Sequence, residues 1–232
     1  MTADDLDRLR SEYADREQRL ADSDIYSPFN KANLFAIQQR QRETLALLRQ
    51  KGFYPLSEKA ILELGCGTGG VLLEYLTYGA NPNRLHGTDL LSQLVEQAHA
   101  RLSHLPLTCA DGQALPYRSN AFDLVLQYTV FTSVLDGVVK TNLAGEMLRV
   151  LRPGGMILWY DFWLNPTNPQ TEGIRPSEIR SLFPGCDVEF RRITLAPPLA
   201  RRLVPVSWVV AFLLEKLRVF NSHYLVAIRP PC

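Results

Sequence analysis

The residues best placed to do chemistry are four acids and a run of glycines. Glu63 stands in the apolar stretch Ile61-Leu62-Glu63-Leu64, which breaks at once into Gly65-Cys66-Gly67-Thr68-Gly69-Gly70. Asp89, Asp111 and Asp123 follow, each beside another short apolar run. Glycines admit backbone angles closed to other residues and let a ligand approach the main chain. If Val71-Leu72-Leu73 lies in a helix, the free N–H groups at its start face that ligand. A carboxylate inside an apolar strand is costly to bury alone, so Glu63 calls for a partner. These types support recognition of a polar ligand by main-chain N–H groups and carboxylates. The spacing gives no catalytic triad and no paired-carboxylate site. Cys66, Cys109, Cys186 and Cys232 form no Cys-x-x-Cys pair and no cluster with His86, His99, His104 or His223, so no metal site is expected. Cys66 and Cys109 read as small buried residues.

The acids must be held at strand tips, and the sequence period supplies the strands. From residue 60 onward, strand and helix patterns alternate as a parallel doubly wound sheet requires. The expected strands are 60–64, 84–88, 107–110, 122–127 and 156–160, the last entered through a hinge at Pro153-Gly154-Gly155. The expected helices are 70–78, 92–102 and 138–151. Upstream, residues 1–24 read as a surface helix. Residues 31–50 read as a long helix with Leu34, Ile37, Gln41, Leu45 and Leu48 on one stripe, ended by Gly52. Downstream come a loop with two Asn-Pro steps, a short helix from Pro176, a strand over 187–195, one helix from Arg201 or Val206 to Leu217, and a strand over 223–229. The chain has 232 residues, of which 46% are apolar, enough for one substantial core.

With Glu63 two residues before Gly-x-Gly-x-Gly, and Asp89, Asp111 and Asp123 following in order, the chain resembles the class I S-adenosylmethionine-dependent methyltransferases. Within them it is similar to the small-molecule group that shares one domain type, in a generic bacterial subgroup. The resemblance implies an α/β fold, a Rossmann-like doubly wound seven-stranded sheet with its last strand antiparallel beside strand five and helices on both faces. It implies one domain over 1–232, with an N-terminal helical cap over 1–52 and substrate-side insertions over 162–218. The implied cofactor is S-adenosyl-L-methionine. Gly65, Cys66, Gly67 and Gly69 would lie against its amino-acid and ribose parts, and Glu63 would reach the ammonium, unless local N–H groups satisfy it. Asp89 would accept the ribose hydroxyls, with Leu90 on the adenine. Asp111 and Gly112 would meet the adenine amino group, or Asp111 would only cap an Asx turn. Gln127 would border the methionine part, and Asp123 would fix a strand start.

Acceptor-side candidates lie after strands four and five, in the N-terminal turn and in the tail. They are Tyr26, Phe29, Tyr128, Phe131, Thr132, Tyr160, Asp161, Phe162, Trp163, Arg201 and Arg202. Tyr26 and Phe29 could equally anchor the helical cap to the sheet. Asp161, among Trp159, Tyr160, Phe162 and Trp163, is the pointed choice for a general base, since desolvation raises a carboxylate pKa; its other reading is hydrogen bonding to the loop that follows. His223 is a minor choice, expected at the sheet end remote from the cleft.

The expected reaction is in-line methyl transfer to an O or N atom of a small molecule, a secondary metabolite or glycan-like acceptor. The alternatives are a protein or RNA acceptor, or a Rossmann-like nucleotide-binding protein without catalysis. A nicotinamide dehydrogenase would want its third glycine one residue later and gives Glu63 no task. A net charge of +1 makes no global case for nucleic acid. Residues 191–232 nevertheless hold seven Lys and Arg against one acid. That excess could face an anionic substrate or be solvated surface. The most apolar window, 204–214, is too short to span a bilayer. Without an apolar leader the chain reads as cytoplasmic, a monomer or homodimer.

Overall fold

A computed structural model describes Ser11, residues 23–164 and residues 171–231. The helix expected over 1–24 falls almost wholly outside these residues, as do Asn165-Pro166 and Asn168-Pro169. The seven strands are β1 (Ile61–Leu64), β2 (Leu85–Asp89), β3 (Leu107–Cys109), β4 (Phe122–Tyr128), β5 (Leu151–Phe162), β6 (Asp187–Leu195) and β7 (Asn221–Arg229). They form one sheet in the order β3-β2-β1-β4-β5-β7-β6. β1 to β5 run parallel, and β7 runs antiparallel to both neighbours. The topology switches between β1 and β4, so the crevice at their carboxyl ends is where a ligand binds in such a sheet.

The helices are α1 (Lys31–Gln50), α2 (Gly70–Thr77), α3 (Ser92–Arg101), α4 (Gly137–Val150), α5 (Pro176–Leu182), α6 (Pro197–Leu203) and α7 (Trp208–Lys216). Alternate strand residues face opposite sides, as the pleat demands. Ile61, Leu124, Leu126, Tyr128, Leu158 and Tyr160 pack with α1 and α2 residues. Leu62, Leu64, Val125, Ile157 and Trp159 pack with α4 and α5 residues. Asp123 fixes the start of β1: its Oδ2 accepts from Ala60 N at 2.7 Å and from Arg152 Nη1 at 2.8 Å.

Four expectations need correction. The buried face of α1 is Ala32, Phe35, Gln39, Thr44, Leu47 and Leu48, while Leu45 is exposed. Gln39 is buried because its Oε1 accepts from Leu195 N at 3.0 Å; apolar periodicity cannot register such a polar contact. The Pro153-Gly154-Gly155 hinge lies inside β5, since Leu151 already pairs with Phe122 before Met156 pairs with Leu124. Gly154 takes φ +76° there, and a Cβ on Gly155 would sit 2.9 Å from Asp123 O, so the pair makes a bulge at close backbone approach. The single helix expected before β7 is two, because Pro205 and the Ser207 cap separate α6 from α7. Cys109 is exposed, for β3 is a short edge strand.

Candidate functional site

The glycine turn joins β1 to α2 at the switch point. Gly65 N and Cys66 N both donate to Thr88 O, at 2.8 and 2.9 Å, which folds the turn over the end of β2. Gly65 holds φ +69°, and a Cβ there would lie 2.3 Å from Val130 Cγ2. Gly67 holds φ +51°, and a Cβ there would meet nothing within 4 Å. The first glycine is therefore required by packing, and the second opens onto free space, a cradle in which a ligand can touch the main chain. Gly69 caps α2 in the left-handed region, and Cys66 is buried.

Asp89 stands across from this cradle. Its Oδ2 accepts from Gly67 N at 2.8 Å and its Oδ1 from Leu91 N at 3.0 Å. Burial raises its pKa, and the facing N–H groups oppose the rise. A carboxylate has about four acceptor positions, so the Asp89 oxygens keep room for a ligand hydroxyl beyond these N–H groups. Leu90 beside it is half-buried. Asp111 makes an Asx turn, accepting from Gln113 N at 2.9 Å, with the Gln113 side-chain amide 3.2 Å from its Oδ2. Gly112 is set by packing: a Cβ there would come 2.6 Å from Leu143 Cδ2 and 2.8 Å from Leu64 Cδ1.

Glu63 is buried, and its Oε2 has no hydrogen-bond partner. Burial pushes its carboxyl well above the ordinary carboxylate range; the Arg40 guanidinium and the Leu72 N–H pull the other way. A buried, half-satisfied carboxylate beside an open glycine is the feature that calls for a cationic ligand group. The acids, glycines and cradle together fit S-adenosylmethionine, with its ammonium, ribose hydroxyls and adenine.

Sequence reading missed Arg40, whose charge reaches Glu63. Arg40 of α1 pairs with Glu74 of α2, and its guanidinium lies over the rings of Tyr128 and Tyr160, 5.4 and 5.5 Å from their centroids. Arg40 Nε is buried without a partner. Tyr128 Oη lies 3.4 Å from Tyr75 Oη, and Tyr160 Oη lies 2.9 Å from Thr194 Oγ1. The only sequence signal was a charged residue on a helix facing the sheet, which an amphipathic pattern counts as surface. Thr129, at the tip of β4, holds φ +58°, unusual for a β-branched residue. Its N–H bonds to Tyr160 O at 2.8 Å.

On the opposite face, Asp161 gathers donors. Thr132 Oγ1 lies 2.6 Å from its Oδ1, Phe162 N 3.1 Å from the same atom, and Thr132 N 3.3 Å from Oδ2. Gln127 Nε2 reaches Oδ2 at 3.5 Å, while Gln127 Oε1 accepts from Val130 N at 3.0 Å. This network ties the ends of β4 and β5 together. Burial raises the Asp161 carboxyl to about 7 against these donors. Between about pH 4 and that value the folded chain holds a proton that the unfolded chain has released. This stabilisation is complete at low pH and is lost as the pH rises to 7. Asp161→Ala strands the Thr132 and Gln127 donors and is expected to cost about 2 kcal/mol. Urea unfolding at pH 5 and pH 8 checks both points: the variant should be less stable and should lack this pH slope.

His223 is not remote from the crevice. Because β7 is antiparallel, His223 pairs with Phe162 at the carboxyl end of β5. Its ring stacks on Tyr160 at 4.9 Å, and Nδ1 lies 2.9 Å from Ser222 Oγ. Burial, aided by Arg40, lowers its pKa to about 3, so the ring is neutral and a weak base. Trp163 is held in place, its Nε1 donating to Asn221 O at 3.1 Å and its ring under the Arg192 guanidinium. Arg201 on α6 is exposed. Tyr26 and Phe29 are exposed too, Phe29 at 94%, so its ring does not anchor α1 to the sheet. A cavity of about 350 Å³ lined by Arg84, His86, Tyr117 and Arg152 lies at the amino-terminal end of the strands, away from all these groups.

Comparison with known proteins shows what the chain is similar to. The family described as Methyltransferase domain matches residues 62–159. A phthiotriol/phenolphthiotriol dimycocerosates methyltransferase of Mycobacterium ulcerans is 34% identical over 125 residues, covering 50% of this chain and 42% of its own length. A tRNA N(3)-methylcytidine methyltransferase of Drosophila melanogaster is 26% identical over 116 residues, covering 46% of this chain and 35% of its own length. The chain thus spans less than half the length of these curated relatives. The crystal structure of the PH0226 protein from Pyrococcus horikoshii superposes with a TM-score of 0.60 at 15% identity, covering 92% of this chain and 99% of that one, which shows the shared fold. Over residues 62–159 the chain is thus similar to the methyltransferase domain family, and its sheet order and switch-point geometry agree with that likeness.

Proposed function

We propose that the chain transfers a methyl group from S-adenosylmethionine to an O or N atom of a small, partly apolar acceptor. The observation that carries the cofactor half is the unpaired, buried Oε2 of Glu63 beside the open cradle at Gly67. Glu63 takes the ammonium, and Arg40, whose charge reaches Glu63, takes the carboxylate end. Asp89 takes the ribose hydroxyls. Leu90, Asp111 and the Gly112 main chain border the adenine, and Gln127 borders the methionine part. Bound there, S-adenosylmethionine supplies an electrophilic methyl and a thioether leaving group that needs no acid.

The chain's contribution is then alignment and exclusion of water, which can supply much of the acceleration. Tyr128, Tyr160 and His223 form an aromatic cluster at the carboxyl ends of β4 and β5, and Thr132, Trp163 and Arg201 are further candidates for the acceptor side. This lining favours a flat or partly apolar acceptor. Asp161 acts by holding the β4 and β5 tips, because its oxygens already face four donors. An RNA acceptor is the second reading, favoured by the tRNA-modifying relative.

Calorimetry with S-adenosylhomocysteine and with NAD tests the cofactor. Micromolar binding of the first and none of the second is expected, and the reverse would remove the proposal. Transfer of labelled methyl from S-adenosylmethionine into the small-molecule fraction of a cell extract tests the acceptor. Label confined to RNA or protein would overturn the small-molecule reading.

A further inference from the structure

Residues 206–220 carry a run of exposed apolar side chains, while Ala200, Val204 and Ala211 pack inward. α7 buries Ala211 and Glu215 against the body of the protein, and Trp208 leans its ring edge on Phe35 at 5.1 Å. Of its other residues, Val209, Val210, Phe212 and Leu213 are apolar and exposed. Val209 is 66% exposed and Leu213 58%, one turn apart, with Leu217 continuing the row. Val206 before the helix and Val219 after it extend the patch. A soluble domain rarely leaves so continuous an apolar surface without a use for it.

The exposed charges carried by residues 197–220 have one sign, with Glu43 of α1 3.8 Å from Lys216 Nζ at the edge of the patch. Arg201, Arg202, Lys216 and Arg218 are all exposed. The single acid of this stretch, Glu215, is buried and pairs with Arg42 at 3.3 Å. We propose that this face docks on an anionic lipid bilayer, with α7 lying in the headgroup plane. Apolar side chains would enter the acyl boundary, and the basic rim would meet lipid phosphates. A two-fold contact with a second copy is disfavoured, because it would set the same basic rim against itself. At nine residues α7 is far too short to span, and among the described residues no helix is long and apolar enough to cross a membrane. The face adjoins the crevice, since Phe220 leads directly into β7, whose first residues lie beside the end of β5. The proposal does not depend on the acceptor.

Co-sedimentation of the full chain with phosphatidylglycerol–phosphatidylcholine vesicles tests it. The protein should pellet with these vesicles and partition about tenfold less to pure phosphatidylcholine or in high salt. Val209→Asp with Leu213→Asp should lower partition about tenfold or more while leaving S-adenosylhomocysteine affinity and the circular dichroism spectrum unchanged. Arg202→Glu with Arg218→Glu should abolish the preference for anionic lipid. Failure to pellet with anionic vesicles, or equal pelleting of the Val209→Asp/Leu213→Asp protein, overturns the proposal. So does a dimer in sedimentation velocity that the same two substitutions disperse, which would give the face to a second copy.

Discussion

Asp89→Ala is expected to weaken S-adenosylhomocysteine binding by about 100-fold, or about 2.7 kcal/mol. Two losses combine. The carboxylate can no longer accept ribose hydroxyls, and hydrogen bonds to a charged group are each worth about 1.5–3 kcal/mol. The N–H groups of Gly67 and Leu91, which it now receives at 2.8 and 3.0 Å, lose their acceptor, so the cradle itself is loosened. Asp89→Asn separates the two effects. It keeps one acceptor oxygen at similar volume and should lose about tenfold. Isothermal titration gives the affinities, and thermal unfolding shows whether each variant remains folded. Undiminished uptake by a folded Asp89→Ala protein would move the ribose elsewhere and dissolve the site as drawn.

What could be read from the sequence was whatever rests on local chemistry. Gly65, Gly67 and Gly69 lie at positive φ where the motif put them, and α2 starts at Gly70. The apolar runs became strands, and the antiparallel seventh strand follows the resemblance. What could not be read depends on partners distant in sequence. Gln39 and Arg40 of α1 are polar positions whose burial is decided by Leu195 and by Glu74, Tyr128 and Tyr160. No window of residues 31–50 contains that information. His223 was misplaced because strand direction had not been carried through to the strand's first residues. Reversing β7 sends its start to the open end of the sheet, where it meets Phe162. Asp161 stands between these cases. Its burial could be read from the aromatics around it, but its donors, Thr132 and Gln127, come from another strand and turn.

Glu63 has the more searching test, because its charge should change when ligand arrives. In the free chain burial outweighs the pull of Arg40, and the carboxyl is held well above its ordinary range. The free chain therefore favours the protonated form of this carboxyl more than an exposed carboxylate does. An ammonium beside Oε2 favours the ionised form, lowers the pKa and expels that proton. Binding of S-adenosylhomocysteine should thus release up to one proton per site, and affinity should rise by up to about tenfold per pH unit while free Glu63 stays protonated. Titrations in phosphate and in Tris, whose ionisation enthalpies differ, should give apparent enthalpies that differ accordingly. Glu63→Gln keeps the volume and removes the titrating group. It should bind about 100-fold more weakly, the loss typical of breaking a buried charge pair, and its enthalpies in the two buffers should coincide. If Glu63→Gln released the same proton, the group titrating on binding would be another one. If it bound as tightly as the parent, the unpaired oxygen would have no ligand to meet, and the ammonium would have to be sought beyond the end of β1.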